Sequence, residues 1–447
     1  MRSVIPSIAL RLSSKVRDYF NARPFLFAVF LLGIVMNFGF FLFMSGQVWI
    51  STISTLAPDS IQYMKIAGGI LGNNSPNEFG LMIFGPGFGA YLAVIMFLFG
   101  SHEAILLFFQ HLLAAANLLI LYEVAREISK SHKIGIIAAA LYATSFTAIA
   151  LANLILSDVL FFCLYLFSVL FLLKSLKRFR WQLVILSGFV LGAAILVKSI
   201  GQFLIVGLLL LPLLYIKEMS PAAEWKGRFH WYGRYAVAPL IALVIIGGWM
   251  TRNYVVHDKA MLAFTGAGGP SNIALRAIAK EENREAGDVY AEWVETYKAR
   301  TGLTELSLSD DYDMRTHEVR KAIGKYPGAM MSVYFGLTWE NLTATNELYF
   351  TQCPTYKYDI DSGVLWYKAH SLNFLSFWLS ICGLALMILL RRWRLFFFTA
   401  GLFVYFAGLI GFTQFQGSRL FFPGQVACFI SIGFLIESLI SSKEKPA

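Results

Sequence analysis

The chain has 447 residues, 57% of them hydrophobic and only 14% charged, with a net charge of +10, and its mean hydropathy is +0.62. A soluble domain carries roughly 25% charged residues, so this composition excludes an ordinary soluble enzyme and points to a polytopic membrane protein. The positive balance does not call for nucleic acid, because cytoplasmic loops of such proteins need basic residues anyway.

Arg2, Arg11, Lys15, Arg17 and Arg23 precede the first apolar run, 25–44. That run is too long for a signal-peptide core and no small-residue cleavage site follows closely, so it reads as a retained anchor. Further apolar runs lie at 104–122, 134–151, 154–173, 181–197, 203–216, 236–250, 371–390, 395–412 and 420–436. A bilayer needs about 20 such residues per span. The run 81–99 decides the topology. If it spans, the loop carrying Arg126, Lys130 and Lys133 falls outside and every later basic loop inverts. If it lies in the outer interface, the N-terminus, 123–133, 174–180, 217–234, 391–394 and the Lys443/Lys445 tail all fall inside. The positive-inside rule favours the second arrangement, with ten spans and both termini cytoplasmic. Gly85-Pro86-Gly87 supports it, because irregular backbone at membrane depth needs protein or water around it.

The plan is an all-α polytopic membrane protein, a bundle of about ten transmembrane helices with interfacial helices and a small exterior helical insertion. It divides into 1–251, containing a first exterior loop at 47–103, then an exterior insertion at 252–368, and C-terminal transmembrane helices at 369–447. Within the insertion, 266–270 reads as a loop, 273–300 as helical, 306–313 as a loop, and 314–325 as a second helix stopped by Pro327.

This topology gathers the exterior ends of several spans. Asp59 opens a run of helical spacing after Pro58. It reads as an N-cap or as a general base at the mouth of a membrane cavity, and the two are compatible. Asp158, after Ser157, opens another span, where a carboxylate complements the helix dipole or serves as a second acidic site residue. Lys198 ends an apolar run, where it snorkels or meets a phosphate. Arg252 and Arg419 lie at two further span ends, and arginine's planar fork of donors suits phosphate. Two carboxylates facing three cations make a phosphate-plus-base site. The histidines lack metal-ligand spacing, and Asp310, Asp311 and Asp313 read as a solvated acidic turn. No ligand cluster argues for a metal, although Asp59 and Asp158 could share a divalent cation. There is no phosphate-binding P-loop, nucleophile elbow or dinucleotide fingerprint, so no nucleotide cofactor is indicated. Cys163, Cys382 and Cys428 sit in apolar runs and only Cys353 in a polar one, so no disulfide is implied.

Five segments in order resemble the GT-C class of membrane glycosyltransferases, which use polyprenyl-phosphate-linked sugars, and within it the protein O-mannosyltransferase and aminoarabinose transferase branch. Asp59-Ser60-x-x-Tyr63-x-x-x-Ala67 with Phe84-Gly85-Pro86-Gly87-Phe88 is similar to the first exterior loop of that class. Leu156-Ser157-Asp158-Val159-Leu160-Phe161 is similar to its acidic residue opening a span. Gly192-Ala193-Ala194-Ile195-Leu196-Val197-Lys198 is similar to its Gly-rich helix ending in a base. Gly248-Trp249-Met250-Thr251-Arg252-Asn253-Tyr254 is similar to its Trp-x-x-Arg-Asn signature, and Ser418-Arg419-Leu420-Phe421-Phe422-Pro423 to its terminal helix. The resemblance implies a GT-C-like bundle at a bacterial inner membrane, with its site on the exterior face. Asp59 would deprotonate an acceptor hydroxyl that attacks the anomeric carbon with inversion. Lys198, Arg252 and Arg419 would stabilise the departing polyprenyl phosphate, Asp158 would be the second acid, and Tyr63, Pro86 and Asn253 would line the substrate cavity. The acceptor would be a lipid, a glycan or a protein. Two departures stand out: Ser60 replaces a second acid often found there, and no large C-terminal exterior domain follows. A lipid-linked polysaccharide polymerase or ligase and a transporter or flippase of lipid-linked sugars are the alternatives. A transporter would carry internal repeats and midplane charges, which this sequence lacks.

Overall fold

The computed structural model describes residues 18–47, 58–73, 77–216, 231–343, 362–413, 416 and 418–443. The basic residues up to Arg17, most of the 217–234 loop, Cys353 and Lys445 lie outside the described residues. Every element among the described residues is a helix, as the composition requires, because a bilayer admits only helices or closed barrels. Among the described residues six helices are long and apolar enough to cross a membrane, or seven if one bent pair counts as a single span. The remaining expected spans are shorter apolar helices.

The first half contains α1 (Pro24–Gln47), α2 (Pro58–Ile70), α3 (Glu78–Phe84), α4 (Gly87–Phe99), α5 (Glu103–Ser129), α6 (His132–Ala143), α7 (Phe146–Ala152), α8 (Asp158–Lys177) and α9 (Trp181–Val197). The run 81–99 is broken at Gly85-Pro86. At 1.5 Å per residue the 13 residues of α4 reach only about 20 Å, short of the roughly 30 Å hydrocarbon core.

The central element is α8, packed between α5 and α9 with Phe161, Phe162, Tyr165 and Leu166 fully buried. Its ends are charged to match its dipole, with Asp158 in the first turn and Lys174 and Lys177 in the last. Lys177 Nζ pairs with Glu127 Oε2 at 2.5 Å. The end of α8 therefore lies beside the end of α5, and Asp158 lies at the opposite end of the bundle.

Two expected spans differ from the sequence reading. The run 134–151 is not one helix but α6 and α7, bent by 58°, because Ser145 starts a new helix by accepting the Ala148 N–H. The next span begins at Asp158 rather than at 154. Residues 153–157 are buried and irregular, and Gln110 Nε2 donates to the carbonyls of Leu154 (3.0 Å) and Leu156 (2.8 Å). Buried carbonyls away from water require such partners.

After α9 come a 3-10 turn (Ser199–Phe203), α10 (Leu204–Leu210), a second 3-10 turn holding Pro212 (Leu211–Tyr215), and α11 (Val237–His257). The insertion holds α12 (Thr265–Glu282), α13 (Ala286–Thr301), α14 (Leu308–Lys325) and α15 (Pro327–Thr343). These bury a small core of Ala274, Leu275, Val289, Trp293, Met314, Val319 and Ala322. Four details there correct the sequence reading. Pro270 lies inside α12 near its start. The segment 273–300 is two helices, separated where Asn283 adopts a left-handed backbone. The expected loop 306–313 is already helical from Leu308, because Ser307 and Asp310 form a reciprocal capping box. Pro327 ends α14 but also begins α15, the position where its missing N–H matters least. The last elements are α16 (Ser362–Leu389), α17 (Trp393–Ile410), α18 (Ser418–Phe421), a 3-10 turn (Phe422–Gly424) and α19 (Gln425–Lys443).

Candidate active site

Asp158, at the start of α8, is completely buried. One of its oxygens receives Lys198 Nζ in a short ion pair, and the other receives Arg419 Nε at 3.2 Å. Removing a carboxylate from water costs several kcal/mol, on the order of the attraction it regains, so a buried pair holds only with good geometry. Here both oxygens are engaged by cations.

Lys198 caps the end of α9, its side chain 16% exposed. The Gly-Pro-Gly turn fixes its place. A Cβ on Gly87 would sit 2.5 Å from the Val197 nitrogen, and one on Gly85, whose φ is +77°, 2.9 Å from the Leu196 carbonyl oxygen. Only glycine lets the α3–α4 turn lie directly on the backbone that leads into Lys198. Pro86 is the N-cap of α4 within this contact.

Arg419 lies in α18, 6% exposed. Pro423 has no N–H to close a regular turn onto the Arg419 carbonyl, and the chain tightens into a 3-10 turn. Tyr165 of α8 donates its hydroxyl to the Pro423 carbonyl at 2.7 Å, and Ser418 pairs with Thr147 of α7 at 2.8 Å. Thus held, Arg419 donates through Nη2 to Asp59 Oδ2 at 2.9 Å and through Nη1 to Gln416 Oε1 at 3.2 Å.

Asp59 opens α2 in its first turn, and its side chain is 30% exposed. Four charged groups from four distant segments therefore form one chain, Asp59–Arg419–Asp158–Lys198. Tyr63, one turn further along α2, is buried against Phe84 and Phe88, with its hydroxyl 3.1 Å from Ser157 Oγ. Burial, reinforced by the Asp59 carboxylate, pushes that hydroxyl above its usual range. It is a neutral tie between α2 and the start of α8.

Arg252 is not part of this chain. Near the end of α11, its Nη2 lies 2.6 and 2.5 Å from the two oxygens of Glu78 at the start of α3. His257 Nε2 lies 3.2 Å from Glu78 Oε2. Hydrogen bonding to Arg252 is the main force holding the Glu78 carboxyl below the ordinary range, with His257 adding to it. Glu78 and His257 were not legible as partners in the sequence, although Asn77, which caps α3 by accepting the Gly80 N–H, marks where that helix begins. The rest of the Trp-x-x-Arg-Asn signature fastens the chain that follows α11. Trp249 Nε1 donates to Leu262 O at 3.1 Å, and buried Asn253 donates through Nδ2 to Met261 O at 2.9 Å. Phe264 N then donates to Met82 O at 2.7 Å, docking that chain onto α3.

The two carboxylates that could share a divalent cation have the Arg419 guanidinium between them. Among the described residues no group of three or more His, Cys, Asp or Glu converges as a metal site. Of the acidic turn, Asp310 caps α14, Asp311 pairs with Arg315, and Asp313 with Lys259. These residues do not fit a metal centre.

Residues 85–249 match the dolichyl-phosphate-mannose-protein mannosyltransferase family. The match includes Pro86, Asp158 and Lys198 and leaves out Asp59, Arg252 and Arg419. Among solved structures, the chain is similar to the apo oligosaccharyltransferase of Archaeoglobus fulgidus, with 12% identity, a TM-score of 0.51, and 94% of this chain and 50% of that chain covered. It is also similar to the oligosaccharyltransferase AglB of the same organism in complex with an inhibitory peptide and a dolichol-phosphate, with 12% identity, a TM-score of 0.49, and 96% of this chain and 53% of that chain covered. The chain thus spans about half the length of the structures it matches. No curated protein matches it. The resemblance to the GT-C class holds, in the family match and in the fold. Within that class, the family matched is the mannosyltransferase branch named above, as a likeness over 85–249.

Proposed function

We propose that this protein is an inverting glycosyltransferase, moving a sugar from a polyprenyl-phosphate donor to an acceptor hydroxyl at the exterior membrane face. The observation that carries the reading is the bridge made by Arg419. It joins a partly exposed carboxylate, Asp59, to a buried one, Asp158, that also holds Lys198. A general base and two phosphate-binding cations are thereby held side by side.

In the reaction, Asp59 takes the proton of the acceptor hydroxyl as its oxygen attacks the anomeric carbon. The bond from that carbon to the phosphate oxygen breaks, and its electron pair leaves with the polyprenyl phosphate. Lys198 and Arg419 stabilise the negative charge that develops there. Fixed charges in a partly dry site do this without reorganising, often the largest catalytic contribution. Asp158 is a positioning residue, because it is fully buried and both its oxygens are taken by the two cations. Arg252, engaged with Glu78, braces the first-loop helices instead of meeting the phosphate. In this reading 1–251 and 369–447 build the site, and 252–368 supplies acceptor recognition over it, at a bacterial inner membrane.

The test is transfer from a panel of radiolabelled polyprenyl-phosphate sugars by purified protein, with Asp59→Asn alongside. Release of polyprenyl phosphate that falls by about 100-fold or more in the variant, as loss of a general base predicts, with donor binding retained, supports the assignment. Equal turnover by the variant removes Asp59 from the chemistry. Absence of turnover with every donor in folded protein removes the enzyme reading.

A further inference from the structure

The end of the bundle away from Asp158 carries a second concentration of charge. The turn between α5 and α6 and the turn between α16 and α17 are separated by more than half the sequence, yet they converge on one cleft of about 1100 Å³. Among the described residues Lys130, Lys133, Arg391, Arg392 and Arg394 line it, against a single acid, Glu437. Glu437 Oε1 is occupied by the Ser131 hydroxyl at 2.5 Å. Among the described residues no carboxylate pairs with Lys133, Arg391 or Arg392, and all three are exposed.

The backbone is shaped to present these cations. Lys130 and Arg391 both adopt a left-handed conformation, with φ of +62° and +54°, which turns each chain sharply between antiparallel helices. Residues without a Cβ penalty usually occupy such positions, so two basic residues there are not chosen for the turn. Basic loops at one end of a bundle follow from the positive-inside rule alone. Convergence of two distant loops on one concavity does not.

The walls are amphipathic. Ile128, Ile134, Leu390, Leu395 and Phe434 line the same cleft beneath the cations. Trp393 stands at its rim, 48% exposed and stacked on exposed Phe397, and Leu389 is 76% exposed on the adjoining helix surface. An indole at the rim of an apolar surface suits the water–lipid interface. Clustered cations next to lipid-facing helices suit a phosphate headgroup.

We propose that this cleft binds the phosphate headgroup of an anionic glycerophospholipid, at a site separate from the one that holds Asp59 and Lys198. Lys133, Arg391 and Arg392 make the phosphate contacts, and the acyl chains lie along the exposed apolar face beside Trp393. The proposal does not depend on the reaction assigned to the other end.

The experiment uses the full chain in lipid nanodiscs made with and without phosphatidylglycerol, extracted into detergent for native mass spectrometry, with thermal unfolding measured in parallel. The comparison protein carries Lys133→Gln, Arg391→Gln and Arg392→Gln together. We expect phosphatidylglycerol adducts on the wild type that survive extraction, raised stability in its presence, and retention weaker on the order of 100-fold in the variant, at about fivefold for each of the three cations near a membrane surface. Equal retention by the two proteins overturns the site. Equal stabilisation of the wild type by inorganic phosphate in neutral-lipid discs overturns the lipid assignment, and polyprenyl phosphate displacing phosphatidylglycerol at equimolar amounts overturns the glycerophospholipid.

Discussion

Asp158→Asn is the sharpest perturbation the structure offers. Asp158 is wholly buried, and its two oxygens meet Lys198 Nζ and Arg419 Nε, the latter at 3.2 Å. At an effective dielectric of about 20, a unit charge pair at that 3.2 Å separation is worth roughly 5 kcal/mol before desolvation. Asparagine keeps the shape but removes the charge, and it turns an N–H2 donor toward one of the cations. Lys198 and Arg419 are then left facing each other, with the partly exposed Asp59 carboxylate still on Arg419. Breaking a buried pair by removing one partner costs about 3–5 kcal/mol, and that loss is the expected result. The assay is equilibrium unfolding in mixed micelles by SDS titration, followed by tryptophan fluorescence. Asp158→Asn combined with Lys198→Met removes the stranded cation as well, so the double variant should be more stable than the sum of the singles by about 1–3 kcal/mol. A loss below about 1 kcal/mol in the single variant, or strict additivity in the double, would refute the reasoning that Asp158 organises the two cations.

Other outcomes follow from neighbouring contacts. Gly87→Ala places a methyl 2.5 Å from the Val197 nitrogen and should cost about 1–3 kcal/mol as overpacking while lowering turnover through Lys198. Gly247→Ala, with nothing within 4 Å of its Cβ, should be neutral or stabilising by up to about 1 kcal/mol. Gln110→Leu strands the Leu156 carbonyl, while the Leu154 carbonyl keeps the Leu156 N–H at 2.9 Å; it should cost about 1–3 kcal/mol for the unpaired group, with faster hydrogen exchange at the start of α8. The Glu78 carboxyl is held below its usual value of 4.5, chiefly by hydrogen bonding to Arg252. Its contribution is fully present above the ordinary carboxylate value and is lost as pH falls through the depressed one. The stability difference between wild type and Glu78→Gln should therefore stay level from neutral pH to about 4.5 and shrink only below it; a difference that vanishes by pH 6 contradicts the Arg252 pairing.

Hydropathy is a local, additive property, so the sequence by itself determined that this is an all-α membrane protein. It also determined that Asp59, Asp158, Lys198, Arg252 and Arg419 stand at or just beyond the ends of apolar helices. A charge is expelled from the middle of a span wherever the rest of the chain goes, and the acid opening α8 and the base ending α9 were legible on that ground alone. Which helix ends meet is a different matter. Arg419 and Asp59 are 360 residues apart, and nothing local to either names the other. Arg252 read as an equal of Lys198 and Arg419, but its partner is Glu78, an acid with no distinguishing pattern in the sequence. The same holds for the opposite end, where Lys133 and Arg392 read as separate basic loops and become one cleft. Ion pairing depends on which ends the packing of α5, α8 and α9 brings together, and small residues such as Gly87 set that packing by permitting backbone contact that a single methyl would forbid.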